Sequence, residues 1–220
     1  MMFWLLVVGG FFLGSIPFGY LIAKSKGIDI RSVGSGNIGA TNVKRILGPK
    51  WGWIVFGLDL LKGLIPSLLG TFLLKDRLYD LDPQTQAFIA GLAAVLGHAK
   101  SPFLGFKGGK GVSTAMGAGL GAVPLVAIIA FTLFAIITWI TRYLSLGSVL
   151  AIGLTPVLAW LLPGNSPQVI VPLTLLAVAV VWLHRANLKR LARGEESKFS
   201  LGGKKSDPGT PRPSGGEGQG

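Results

Sequence analysis

Residues 34–45, GSGNIGATNVKR, have the types and spacing to hold a phosphate. Three glycines, a serine, a threonine and two asparagines precede the basic pair Lys44 and Arg45. Glycine lets backbone N–H groups approach an anion with no Cβ in the way, and successive N–H groups in turns form an anion-binding nest. Ser and Asn add neutral donors, and the Arg45 guanidinium is a fork matched to phosphate oxygens. A flexible polar loop between two apolar segments has the same composition.

Further along, residues 106–114 read FKGGKGVST, a second basic, glycine-rich stretch containing Gly109 and Lys110. Its KGGKG core lacks the G-x4-G-K-[ST] spacing of a P-loop, and no strand precedes it. Lys110 stands just before an apolar run, where a helix N-terminus would also favour an anion. Near the far end, His184 and Asn187 are three residues apart and share a helical face. The arginines and lysines around them, Arg185, Lys189, Arg190 and Arg193, suit an interfacial helix end against lipid headgroups.

Composition restricts the chemistry. Cysteine is absent, which removes disulfides and thiolate catalysis, and a count of two histidines argues against a His-rich metal site. The nine Asp and Glu fall mostly in the 75–83 loop and the C-terminal region, so no carboxylate pair accompanies the basic motifs. That argues against glycosidase-like and two-metal chemistry. Neither histidine has an Asp four or five residues on, and there is no GxSxG elbow. No cofactor is expected. What remains is basic, glycine-rich and hydroxyl-rich, suited to two anionic groups held together.

The elements that must position these motifs are membrane spans. The 220-residue chain is 50% hydrophobic and 14% charged, against about 25% charged in a soluble domain. Its mean hydropathy is +0.60. The net charge of +12 sits in short loops, which reads as cytoplasmic loops and not as a nucleic-acid surface. Residues 2–23 read as a first span, not a cleaved leader, with Gly14, Ser15, Pro17 and Gly19 marking close packing or a break. Residues 51–74 form the second span, carrying Asp59 and Lys62 at i, i+3 as a structural ion pair. The 75–83 loop lacks a basic excess and goes outside; residues 84–97 return inward.

The stretch 112–140 is read as two limbs, a short one to about Ala122 and a return after Pro124. This division leaves Arg142 inside with the other cations. The short limb cannot cross alone at 1.5 Å per residue and is re-entrant or tilted. Residues 145–162 and 169–183 complete an all-α multi-pass membrane protein of about seven transmembrane helices, N-terminus outside and C-terminus cytoplasmic. One domain over residues 1–200 is expected, with a disordered polar tail over 201–220. The 34–45 loop, the 106–114 loop, residues 142–148 and residues 184–187 then all fall on the cytoplasmic face, and the outer loops hold no comparable polar cluster.

Taken together, GSGNIGATNVKR, LDLLKG (58–63), Gly97–His98, FKGGKGVST, RYLSLGS (142–148) and HRANLKRL (184–191) resemble the bacterial acyl-phosphate:glycerol-3-phosphate acyltransferase family, the PlsY family. VST at 112–114 replaces a commoner VAT, and the tail is long for the family. The resemblance implies transfer of a fatty acyl group from acyl phosphate to the 1-hydroxyl of glycerol 3-phosphate, giving lysophosphatidate at the bacterial inner membrane. It implies a soluble partner enzyme that makes the acyl phosphate. It also implies that Ser35, Arg45, Lys110, His184 and Asn187 are catalytic, and that Gly36, Asn37, Gly39, Thr41, Asn42, Gly109 and Ser148 bind substrate. The proton of the attacking hydroxyl goes either to His184 or to the leaving phosphate, with the second route favoured because no acid stands in sequence to orient the histidine. A transporter of a small phosphorylated anion would use similar anion sites, but needs a path to an outer face whose loops lack cations.

Overall fold

The computed structural model describes residues 1–199, and among these the regular structure is helical. The helices are α1 (Met2–Ser15), α2 (Phe18–Lys24), α3 (Ala40–Leu47), α4 (Pro49–Leu73), α5 (Pro83–Ala99), α6 (Val112–Ala122), α7 (Pro124–Thr141), α8 (Leu144–Gly153), α9 (Thr155–Leu161), α10 (Ile170–Leu183) and α11 (Arg185–Ala192). Single 3-10 turns lie at Pro102–Leu104 and Pro167–Val169. The tail expected to be disordered, 201–220, lies outside the described residues.

Among the described residues, five segments are long and apolar enough to cross a membrane: Met2–Lys24, Pro49–Leu73, Pro83–Leu104, Pro124–Thr141 and Leu144–Leu161. Pro167–Leu183 joins them as a sixth when paired with Arg185–Ala192, against which it bends by 55°. The remaining segment of the seven expected is α6, eleven residues or ~16 Å long. Large apolar side chains such as Phe12, Phe72, Trp139, Trp160 and Val178 face outward over half or more of their surface. That surface suits hydrocarbon and would be an aggregation liability in water.

Proline sets several boundaries. Pro49, Pro83 and Pro124 open α4, α5 and α7, where a missing N–H costs nothing. Pro17 breaks the first span between α1 and α2. The carbonyls near the break are taken up from elsewhere in the fold: Ser101 Oγ donates to Ser15 O at 2.6 Å and Lys62 Nζ to Ile16 O at 3.1 Å. Irregular backbone at membrane depth is tolerated under that condition. Lys62 also pairs with Asp59 at 2.8 Å, and both are almost wholly buried. The i, i+3 ion pair read from the sequence is therefore present and is joined to the chain break.

Helix α6 is packed at backbone distance against α4. A Cβ on Gly63 would lie 2.0 Å from the Thr114 carbonyl oxygen, and one on Gly117 would lie 2.0 Å from that of Leu60. Ser67 Oγ donates to Ala118 O and Thr71 Oγ1 to Gly121 O, both at 2.8 Å. Contacts advance together along both helices, so α4 and α6 run parallel. Thr114 is level with Gly63, fourteen residues or ~21 Å into α4. The start of α6, with Lys110 just before it, is therefore sunk well inside the bundle.

The opposite end of the bundle holds a polar cluster of another kind. Asp82 caps α5 by accepting from Thr85 N at 3.0 Å, and Ser166 Oγ donates to Asp82 at 2.6 Å. Gln84 reaches the Ala122 and Gly164 carbonyls, and Gln168 Oε1 accepts from Asp82 N. The cluster is acid and amide, not basic. It ties the 75–83 and 163–168 loops to the end of α6.

Candidate functional site

The first motif folds around Asn42, which is 1% exposed. Its Nδ2 donates to the carbonyls of Ile30, Val33 and Asn37, and its Oδ1 accepts from Ser35 N at 2.9 Å. Gly34 and Gly36 adopt φ of +57° and +68°, the left-handed region that favours glycine. Asn37 Oδ1 accepts from Gly39 N at 2.8 Å. Both asparagines thus use polar atoms on the loop itself. Gly39 caps α3 with no side chain, so the first N–H groups of that helix receive no side-chain cap beside Ser35 and Thr41.

The second motif rests on His98. Gly109 N donates to His98 O at 3.1 Å and Gly108 N to Ala99 O at 3.2 Å. A Cβ on Gly109 would meet His98 Nε2 at 2.2 Å, so glycine here is required by close approach. His98 Nδ1 lies 3.7 Å from Asp59, which places this loop directly over the buried Asp59–Lys62 pair. Gly111, at φ +74°, opens α6 without a side-chain cap. Lys110 is held between the two.

The third group comes from the break between α10 and α11. His184 is 3% exposed, and its Nδ1 lies 2.8 Å from Val180 O. That contact makes Nδ1 the donor and leaves Nε2 as the acceptor. A backbone carbonyl therefore orients the ring where the sequence offered no acid. Burial, then the charge on Lys110, pushes the imidazole down to about 4 against the Val180 hydrogen bond. Asn187 Oδ1 accepts a hydrogen bond from Lys110 Nζ. Burial first of all, with Arg190 adding, pushes the Lys110 ammonium down to about 8, while Glu196 pulls it up.

Glu196 was not among the residues picked from the sequence. Its Oε1 accepts from Asn187 Nδ2 at 2.6 Å and from Ser145 Oγ at 2.8 Å, and its Oε2 from Arg190 Nε at 2.9 Å. Burial acts to raise its carboxyl, but these hydrogen bonds win and hold it below the usual range. The available signal was Gly194, at φ +71°, directly after the basic helix. A left-handed glycine past a helix end reverses the chain and can bring the next acids back over that helix.

These groups share one cavity of about 940 Å³. Ser35, Asn37, Gly39, Thr41, Asn42, Arg45, Lys110, Ser148, His184 and Asn187 line it. Gly36 and Gly109 do not, Gly109 being turned against His98. Ser148 donates its hydroxyl back to Leu144 O at 2.8 Å. Asp59 and Glu196 also line the cavity, the first tied to Lys62 and the second to Asn187, Ser145 and Arg190. Three helices, α3, α6 and α8, present N-terminal residues to it and lack side-chain caps. Their dipoles add positive potential to Arg45 and Lys110. Away from these cations the lining turns apolar, through Val126, Phe131, Phe134, Leu173 and Leu176.

Among known proteins, a family model described as "Glycerol-3-phosphate acyltransferase" matches residues 4–194. A glycerol-3-phosphate acyltransferase of Trichlorobacter lovleyi is 44% identical over 198 residues, covering 90% of this chain and 97% of the relative. The crystal structure of PlsY (YgiH), an integral membrane glycerol 3-phosphate acyltransferase, in its glycerol 3-phosphate form superposes with TM-score 0.83 at 40% identity, over 91% of this chain and 96% of that one. Its lysophosphatidic acid form gives TM-score 0.81 at the same identity and coverage.

Proposed function

The chain belongs to the glycerol-3-phosphate acyltransferase family and is an integral membrane enzyme, and from that premise we propose that it acylates the 1-hydroxyl of glycerol 3-phosphate using acyl phosphate as donor. The hydroxyl oxygen attacks the acyl carbon, the bond from that carbon to the phosphate oxygen breaks, and the hydroxyl proton leaves with the phosphate. The products are lysophosphatidate and inorganic phosphate. Acyl phosphate is already activated, so no covalent enzyme intermediate is needed.

The observation that carries this reading is the cavity itself. One space holds Arg45, Lys110 and three uncapped helix N-termini, and continues into an apolar wall. That pattern suits two phosphates side by side with an acyl chain leading away. Ser35 and Arg45 hold one phosphate, and Lys110 neutralises charge that develops on the leaving group. With its imidazole near 4, His184 is a weak base, so its neutral Nε2 accepts a hydrogen bond from the attacking hydroxyl. As the acyl carbon–oxygen bond breaks, the leaving phosphate gains a new negatively charged oxygen, and that oxygen is the better proton acceptor.

The basic motifs lie at one end of the bundle and the acid-and-amide cluster at the other. By the positive-inside rule the cavity opens to the cytoplasm of the bacterial inner membrane, with the N-terminus outside and the C-terminus inside. A soluble enzyme that forms acyl phosphate supplies the donor from that side. Purified protein given palmitoyl phosphate and radiolabelled glycerol 3-phosphate is expected to yield lysophosphatidate without CoA. A product that appears with acyl-CoA alone, or no product, would refute the donor assignment.

A further inference from the structure

We propose that Glu196 is a positioning residue, fixing the Asn187 amide so that Oδ1 faces Lys110 and the ammonium is aimed at the phosphate the cavity receives. This rests on the acyl-transfer reading above. The argument is one of donors and acceptors. A terminal amide has two similar ends, one accepting and one donating, and its environment chooses between them. Lys110 can only donate and ionised Glu196 can only accept. Glu196 Oε1 lies 2.6 Å from Asn187 Nδ2, and Lys110 Nζ donates to Asn187 Oδ1. Turning the amide over would set its NH2 against the ammonium and its carbonyl against the carboxylate, two repulsive contacts in place of two hydrogen bonds.

Glu196 is itself fixed from two elements. Ser145 Oγ at the start of α8 donates to Oε1 at 2.8 Å, and Arg190 Nε on α11 donates to Oε2 at 2.9 Å. The backbone of its segment is held as well. Glu195 N donates to Arg190 O at 2.8 Å and Phe199 N to Arg142 O at 2.7 Å. Lys44 Nζ sits 4.2 Å over the Phe199 ring, so the segment reaches from α11 across to α3.

The test compares E196A, E196Q, N187A and E196A/N187A in steady-state turnover with palmitoyl phosphate and glycerol 3-phosphate, alongside thermal unfolding in detergent. E196A is expected to lower kcat/KM by about tenfold, and in the N187A background the same change is expected to cost less than about twofold, because the effect passes through Asn187. E196Q is expected to recover most of the loss, since the glutamine carbonyl still accepts from Asn187 Nδ2. Additive losses, an E196Q as damaged as E196A, or an activity loss that tracks the melting temperature would each overturn the proposal. Wild-type turnover decides the acyl-transfer reading separately. Without turnover, stabilisation by inorganic phosphate read as a melting shift serves for the same four variants. The shift should shrink in E196A and be no smaller in E196A/N187A than in N187A, and the opposite pattern would refute the assignment of Glu196.

Discussion

Lys110 and Asn187, 77 positions apart in the chain, share a hydrogen bond from Nζ to Oδ1. The bond joins the N-terminus of the short helix α6 to α11, the helix that follows α10. Neither α6 nor α11 could place its residue alone. Lys110 is sunk within the bundle by the parallel packing of α6 on α4, and Asn187 reaches it because the chain bends by 55° after α10. Assembly of the cationic cavity therefore depends on tertiary packing and not on any one loop.

The charge on Lys110 makes a pH prediction. Burial lowers its ammonium to about 8, and only the protonated form neutralises a phosphate. Activity should therefore fall as pH rises through about 8. K110R keeps its charge at every pH in that range, so its residual activity should lack that limb. K110M should lose about 10²–10³ in kcat, the scale of a lost transition-state donor. The check is a pH–rate profile of the three proteins. A limb that survives in K110R would assign it to another group.

His184 makes the opposite kind of prediction. A general base works deprotonated, so a histidine base at about 4 would give activity that rises with pH through that value. With the proton going to phosphate, H184Q should cost less than the 10²–10⁴ typical of a lost general base and should leave the profile between pH 5 and 8 unchanged in shape. A loss beyond that, with an acidic limb that disappears in the variant, would restore His184 as the base.

Asn42 is expected to matter for shape more than for direct binding. Its side chain makes four hydrogen bonds within the loop from Ile30 to Asn37. N42A strands a buried N–H and several carbonyls at about 1–3 kcal/mol for an unsatisfied group. N42D keeps the acceptor for Ser35 N but loses the donors. Both variants should unfold at lower temperature and raise the KM for acyl phosphate. A kinetic defect with an unchanged melting temperature would mean that Asn42 touches substrate instead.

What the sequence disclosed follows from how local each signal is. Hydropathy located the spans, Pro17 marked a break and Pro124 the start of the return limb, because each acts within a few residues. Charge placed the four basic motifs at one end, and the structure brings Ser35, Arg45, Lys110, His184 and Asn187 to one cavity. Glu196 escaped because its partners Ser145 and Asn187 lie 51 and 9 positions away, and Gly194 marks only a chain reversal, not the partners that the reversed chain meets. The cluster of Asp82, Gln84, Ser166 and Gln168 at the opposite end of the bundle escaped for the same reason. Neutral amides also carry no charge signal. The family resemblance implies that Gly109 binds substrate, and in the structure the approach of His98 is what excludes a side chain there.

The buried Asp59–Lys62 pair supplies a test of whether the floor of the cavity is structural or takes part in binding. Both side chains are essentially inaccessible, Lys62 holds the Ile16 carbonyl at the chain break, and His98 bridges from Asp59 to the Lys110 loop. D59N alone leaves a buried ammonium without its counter-ion, a change that costs about 3–5 kcal/mol, whereas exchanging both partners for neutral groups is often far milder. D59N should therefore unfold at much lower temperature in detergent, and D59N/K62M should regain much of that loss. Were the pair structural, the double variant would also keep most of the acyl-transfer activity once folded. A double variant that is stable but inactive would move Asp59, which lines the cavity, into the reaction itself.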